Sequence, residues 1–313
     1  MSADWTERYL GGSREEEERR IRRFVAEIRD VQERNANRGV VRRAFHAKTD
    51  AGLTNAEFRV APELDDELAT GIFVAGAVYP ATVRFSNAAG TIGADAKPDL
   101  RGVAIRVDGV QDFLLTNAPA SHARDAEQFM AAAKAATRPK SLAILGLLRA
   151  LGPRETLRML RAVRAASRRI ESLATESYWS RAPFELGTQA VKFKLVAAAA
   201  LDGRGANGGP DYLREDLARR LRAGPLTFPF QIQRFVDERT TPIEDGTVEW
   251  QESDSQPETI AELVLPQQDL TGEADALVEK LTFTPWNTTS IRPLGSLNRA
   301  RKLVYAASAE RRT

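Results

Sequence analysis

The order of periodicities along this chain predicts an α+β fold, an antiparallel barrel or large antiparallel sheet covered by helices. Apolar residues recur with period two between Gly39 and Leu115. Helical spacing takes over from Asp125 to Leu173. A second strand-like block runs from Val191 to Leu265, and a last helix closes the chain from Ser296 to about Glu310.

Each element has a local reason. Ser13 followed by Glu16 is a capping box, and Ile21, Phe24, Val25, Ile28 and Val31 make one stripe, so Ser13 to Arg34 reads as a helix. Its remaining faces are charged, which suggests an arm (residues 1–38) laid on a body (residues 39–313) or on a second copy of the chain. Gly71 to Val78, Ala81 to Phe85 and Val103 to Val107 read as strands. Asp108-Gly109 supplies the positive φ angles of a tight hairpin, and Phe113 to Leu115 is the returning strand. Helices follow at Asp125–Ala136, Ser141–Leu151 and Glu155–Leu173, the last two divided by Gly152-Pro153. Val191 to Val196 alternates with Lys192 and Lys194, which predicts a strand with one wet face. A glycine-rich loop, Asp202 to Gly209, precedes a helix capped by Asp211 and ended by Gly224. Phe228–Val236 and Ala261–Leu265 are strands, and Ser296 is placed as the cap of the last helix.

Composition excludes several chemistries. There are no cysteines, so disulfides and thiolate sites are ruled out. A net charge of +2 gives no reason to expect a nucleic-acid partner. Residues Met1 to Gly12 lack an apolar signal core, and the runs Leu142–Leu148 and Leu195–Leu201 are too short to span a bilayer, so a cytoplasmic protein is expected. Only two histidines, His46 and His122, are available for acid/base work near neutral pH.

In the last helix Leu297, Arg301, Tyr305, Ser308 and Arg312 share one face. An arginine one turn from a tyrosine favours the phenolate, a hard anion suited to ferric iron. Spacing alone is better served by a surface Arg-Tyr stack.

Five segments carry a resemblance. RAFHAK (43–48) resembles the catalase segment that holds the distal histidine. ATVRFSNAAGTIGADAKPDLRGVAIRV (81–107) and DFLLTNAPASHARDAEQF (112–129) resemble the stretches with an arginine, a serine, the distal asparagine and a haem-contacting phenylalanine. GPLTFPFQIQRF (224–235) and LTFTPWNTTSIRPLGSLNRARKLVYAAS (281–308) resemble a late barrel strand and the proximal segment. The matches keep the family's order from Arg43 to Arg312. The resemblance implies a catalase-like barrel with haem b buried between it and the closing helix. It implies His46 as distal base, oriented by Ser86. Arg43, Arg84 and Arg312 would face propionates or the distal network, and Phe129 would pack on the haem face. Tyr305 would be the axial ligand of the iron, supported by Arg301.

The pattern also departs from the family. Aligned on Pro119, the distal asparagine falls at Thr116, with Asn117 brought into the site only by a one-residue bulge. Ser121 and His122 replace an aromatic pair, leaving His122 incidental or channel-lining. The chain lacks the long arms and C-terminal helical domain of large catalases, which is similar to the small catalase-related haemoproteins. The expectation is a haem peroxidase acting on organic hydroperoxides, fatty-acid hydroperoxides among them, or on hydrogen peroxide, with an electron donor of unknown identity. The alternatives are an allene oxide synthase-like isomerase, a true catalase, a haem sensor or carrier, and a barrel binding module without haem. Leucines beside many arginines in 141–169 are compatible with contact to anionic lipid, although a helix pair covering the barrel is the simpler account. The N-terminal helix is a candidate for self-association.

Overall fold

The computed structural model describes residues 4–37, 39–200 and 208–312. The first helix, α1 (Arg14–Asn35), begins where the Ser13 hydroxyl accepts from the Glu16 amide. The barrel follows, with β1 (Thr49–Val60), β2 (Val78–Asn87), β3 (Arg101–Val107) and β4 (Gln111–Thr116). Next come α2 (Ala126–Ala136), α3 (Lys140–Ala166), β5 (Tyr178–Trp179), β6 (Phe184–Leu186) and β7 (Gln189–Leu195). The chain ends with α4 (Tyr212–Ala223), β8 (Leu226–Arg234), β9 (Glu258–Leu265), α5 (Gly272–Lys280), β10 (Arg292–Pro293) and α6 (Gly295–Glu310).

Strand order runs β7-β5-β4-β3-β2-β1-β9-β8, and β8 pairs back onto β7 from Val191↔Arg234 to Leu195↔Phe230. The ring is a closed, eight-stranded antiparallel barrel; closure removes the exposed edges that an open sheet would leave. Phenylalanines fill it. Phe113 lies 4.8 Å from Phe230 and 5.0 Å from Phe193, and Phe58 lies 5.1 Å from Phe230. The hairpin between β3 and β4 turns on Asp108 (φ 49°) and Gly109 (φ 72°), as predicted.

The helices sit outside. Phe24, Ile28 and Val31 of α1 join Met130 of α2 and Ala300, Val304 and Tyr305 of α6 in a second core. No helix among the described residues is long and apolar enough to cross a membrane. Leu142, Leu145, Leu148, Leu157 and Leu160 of α3 are exposed.

Several local expectations need correction. Gly71 to Ala77 is a run of turns, because Gly71 (φ 58°) and Gly76 (φ 73°) take left-handed conformations that break a strand. The unanticipated β1 is the longest strand. Helix α3 stops at Ala166 rather than Leu173, and Gly152 interrupts it with a non-helical φ of 76°. Lys192 does not face solvent: it is buried, with Nζ 4.8 Å over the Trp250 ring. Asp211 precedes α4 but makes no side-chain cap; its carboxylate pairs with Lys48. Ser296 lies inside α6, where its amide donates to Glu244. Most of the glycine-rich loop at 202–209 lies outside the described residues.

Candidate active site

His46 lies in the segment between α1 and β1, at φ 58°. A left-handed backbone at a non-glycine residue is strained and persists only where its surroundings over-determine it. Here they do. The His46 amide donates to Ala88 O at 3.1 Å, and Arg84 Nη2 donates to His46 O at 2.8 Å. The ring Nδ1 lies 3.0 Å from Ser86 Oγ. Gly102 of β3 makes room for the ring: a Cβ there would sit 2.6 Å from His46 Cε1. Desolvation, followed by the charge of Arg84, pushes the imidazole down to about 3, so it is neutral at ordinary pH.

Tyr305 projects from α6 into the cluster of Phe45, Phe129, Leu297 and Ala300. Arg301, one turn earlier, has its guanidinium 6.0 Å from the centre of the Tyr305 ring and donates to Asn298 Oδ1 at 2.9 Å. Phe45, beside His46 in sequence, meets Phe129 edge-on at 5.6 Å, and Phe129 meets the His122 ring at 5.5 Å. The charges of Arg301 and Arg84 are both felt at His46, so the histidine and the tyrosine helix look onto one region.

A third group belongs there that sequence reasoning missed. Arg181, between β5 and β6, also has a left-handed backbone (φ 60°). Its Nη1 donates to Thr116 Oγ1 at 3.4 Å and its Nη2 lies 3.5 Å from His122 Nδ1. It sits in the fields of Arg301 and Tyr305. An arginine in a strand-rich stretch reads as a solvated face; the signal that could have found it was the Ser-Arg-Ala-Pro turn inside otherwise buried sequence.

His46, Arg181 and His122 lie deep enough for desolvation to dominate their ionisation, yet each keeps some accessible surface, as do Thr116, Phe129, Arg301 and Tyr305. A separate cavity of about 590 Å³ opens next door, lined by Asn117, His122, Arg158, Ala162, Ala166 and Trp179. His122 is one wall of that cavity and touches Phe129 and Arg181 on its other side.

The distal amide does not reach the site. No bulge interrupts the β3–β4 register, which pairs Gly102 with Thr116. Asn117 is buried with its Oδ1 accepting from the Arg101 amide at 2.8 Å and its Nδ2 donating to Glu176 at 2.9 Å. The position facing Arg181 is taken by the Thr116 hydroxyl.

Arg43, Arg84 and Arg312 meet at the C-terminus of α5. Arg43 pairs with the Glu279 carboxylate, and Arg84 does so at 3.2 Å. Arg312 bonds the Leu281 carbonyl at 3.3 Å and the Thr282 hydroxyl. Glu279 was not anticipated; its helix is short, with only Val278 buried.

This donor set fits a haem. Two guanidiniums sharing one carboxylate, with a third bonded only to carbonyl and hydroxyl oxygens, have spare charge for two propionates. A phenol one turn from a guanidinium that pairs with no carboxylate among the described residues suits an anionic iron ligand. A neutral imidazole fixed by a serine suits proton transfer.

A family model described as catalase matches residues 26–144. A catalase-related peroxidase of Mycolicibacterium paratuberculosis is 31% identical over 297 residues, covering 87% of this chain and 86% of that protein. Among solved structures, a fungal catalase superposes with a TM-score of 0.65 at 17% identity, over 88% of this chain and 60% of its own. A bacterial catalase gives 0.62 at 20% identity over 88% and 58%. Catalase A from Saccharomyces cerevisiae gives 0.61 at 15% identity over 100% and 68%. The chain therefore spans about 60% of the length of the fungal and bacterial catalases, and at these identities the likeness is one of fold.

Proposed function

The chain belongs to the catalase superfamily, and from that premise we propose that it is a haem b peroxidase that reduces organic hydroperoxides in preference to hydrogen peroxide. The observation that carries the preference is the distal side. Where a large catalase presents an amide, this chain presents the Thr116 hydroxyl, and its neighbouring Asn117 is spent on Arg101 and Glu176. The cavity beside His122 offers room for an organic group that hydrogen peroxide does not need. The mycobacterial relative, which bears the peroxidase name, supports peroxidase activity and says nothing of the substrate.

Haem supplies the redox chemistry of O–O cleavage when bound. Tyr305 would hold the iron, Arg43, Arg84 and Arg312 would hold the propionates, and Phe129 would pack against the ring face. The remaining work is acid/base. With Nδ1–H donating to Ser86 Oγ, His46 keeps a free lone pair on Nε2. That nitrogen takes the proton of the hydroperoxide and returns it to the oxygen that leaves as the alcohol. Its neutrality keeps it competent as a base across the physiological range. Two electrons from an outside donor complete the cycle.

The test is turnover of cumene hydroperoxide and hydrogen peroxide, each with and without a reducing dye. The expected result is dye-dependent turnover with the larger kcat/KM for cumene hydroperoxide. Rapid oxygen release from hydrogen peroxide with no cumene hydroperoxide turnover would overturn the reading. His46→Ala should lower kcat by roughly 10²–10⁴ with haem retained. Tyr305→Phe should lose the ferric haem spectrum of the parent.

A further inference from the structure

We propose that α3 is a docking surface for an anionic lipid membrane, with its outward leucines entering the headgroup region and its arginines meeting the lipid phosphates and carboxylates. Docking by this face stands apart from the peroxidase reading and does not depend on it.

Helix α3 leaves most of its apolar surface uncovered. Only Leu147, Thr156 and Met159 of its residues are buried. Leu147 and Met159 pack with Ala123 and Ala135, which fixes the helix to α2 and to the segment before it. Of the fifteen large apolar side chains exposed among the described residues, seven belong to this one helix. A helix that merely covered the barrel would turn them inward. The break at Gly152 divides α3, and each half carries its own stripe. Leu142, Leu145 and Leu148 form the first; Leu157, Leu160 and Val163 form the second. Steps of three residues keep each trio on one side of its half. Single exposed leucines are ordinary on a soluble protein, but such a concentration marks an interaction surface.

Charge accompanies the leucines. Residues 138–169 hold nine lysines and arginines and one acidic residue, in a chain whose net charge is only +2, so the remainder is net acidic. That one carboxylate, Glu155, is taken by Arg158 at 3.0 Å and by Arg124 at 3.5 Å. Arg138, Lys140, Arg149, Arg154, Arg161 and Arg164 are exposed, and none of them pairs with a carboxylate among the described residues. Arg161 and Arg164 follow Leu157 by four and seven residues, on the same face as that leucine. The cations thus rise from the apolar surface itself. Long arginine stems can lie along apolar surface while their charged ends reach out to headgroups.

This combination selects the occupant. A second copy of the chain, docked face to face, would set one group of cations against the other. A nucleic acid would meet the cations and give the leucines nothing apolar to enter. An anionic bilayer satisfies both, because its surface attracts each basic group near it and its acyl boundary takes the apolar side chains.

The experiment sediments the haem-loaded protein with vesicles of phosphatidylcholine alone and of phosphatidylcholine mixed with phosphatidylserine, at low and high salt. Three proteins are compared: the parent, a triple variant with Leu142→Gln, Leu145→Gln and Leu148→Gln, and a triple variant with Arg154→Gln, Arg161→Gln and Arg164→Gln. All six side chains are exposed, so both variants should keep the parent's melting temperature and its turnover of cumene hydroperoxide in solution. The parent should bind the phosphatidylserine vesicles, ignore the neutral ones and dissociate in high salt. Removing three cations should weaken partitioning by roughly 100-fold. Removing three leucines should weaken it by roughly tenfold or more. The parent alone already tests the proposal: no binding, or equal binding to neutral vesicles, overturns it. Parental binding in the arginine variant overturns it too, and parental binding in the leucine variant does so by marking α3 as a site for polyanions in general. Velocity sedimentation without lipid is the last arm; a parent dimer that the leucine substitutions dissolve would assign the face to a second copy and overturn the docking. A parent that binds as expected yet ignores cumene hydroperoxide supports the docking and overturns only the proposed function.

Discussion

A single methyl group separates the His46 geometry from a broken one. Gly102 does not need glycine for its backbone; it needs glycine because a Cβ would lie 2.6 Å from His46 Cε1, 2.8 Å from Nδ1 and 3.2 Å from Ser86 Oγ. The ring cannot retreat easily, since Arg84 and Ala88 hold its backbone. Gly102→Ala should therefore turn the imidazole off Ser86 and cost about 1–3 kcal/mol of stability through overpacking. The expected signature is a kcat for cumene hydroperoxide lowered at least tenfold with an unchanged ferric haem spectrum; an unchanged kcat would show that the His46–Ser86 contact does not matter. His46 and Ser86 were legible in the sequence because the chain has only two histidines and a recognisable Arg-Phe-Ser partner strand. Gly102 was legible as a strand entry but not as the residue that clears space for the ring. That requirement exists only once β3 is laid beside β2.

At the scale of elements, the tyrosine helix is held by a clasp from far along the chain. Arg299, next to Asn298 in α6, donates to Glu7 at 2.6 Å, to Glu17 at 2.5 Å and to Glu244 at 2.8 Å. Glu17 belongs to α1 and is buried. Arg299→Met would leave Glu17 and Glu244 without their cation and Glu7 with Arg292 alone, and breaking such a buried network costs about 3–5 kcal/mol. Urea unfolding should show that loss, and amide exchange in α6 should quicken more than exchange in the barrel. A loss below about 1 kcal/mol would mean that the apolar α1–α6 contact alone secures the helix. The capping box and apolar stripe of α1 were readable because both are local. The clasp was not, because its carboxylates come from three distant segments. Helix α5 escaped for a different reason: one buried residue in nine gives no stripe to read. At Gly71–Val78 an apolar alternation suggested a strand, and the positive φ of two glycines overrode it.

The whole molecule folds around cations and imidazoles that it keeps out of water, and this ties its stability to pH. His46 and His122 are both brought down to about 3, chiefly by desolvation. In an unfolded chain each titrates near ~6.5. Between those values the unfolded chain binds protons that the fold refuses, so each histidine's contribution is full above ~6.5 and is lost as pH falls towards 3. Asp50, buried beside Arg101 and Lys48, has the opposite sign: desolvation pushes it up to about 6, so its contribution grows as pH drops through that value. Because these terms oppose, the total slope is a poor test and a difference is a good one. His122→Phe removes one histidine and leaves Asp50 in place, and it also preserves an aromatic contact with Phe129. In the haem-free protein, urea unfolding at pH 6.5 and 4.5 should show an acid-induced loss of stability smaller than the parent's by about 2 kcal/mol, two pH units at up to ~1.4 kcal/mol each. Equal losses in the two proteins would mean that His122 is solvated and protonated in the fold through the cavity that it lines.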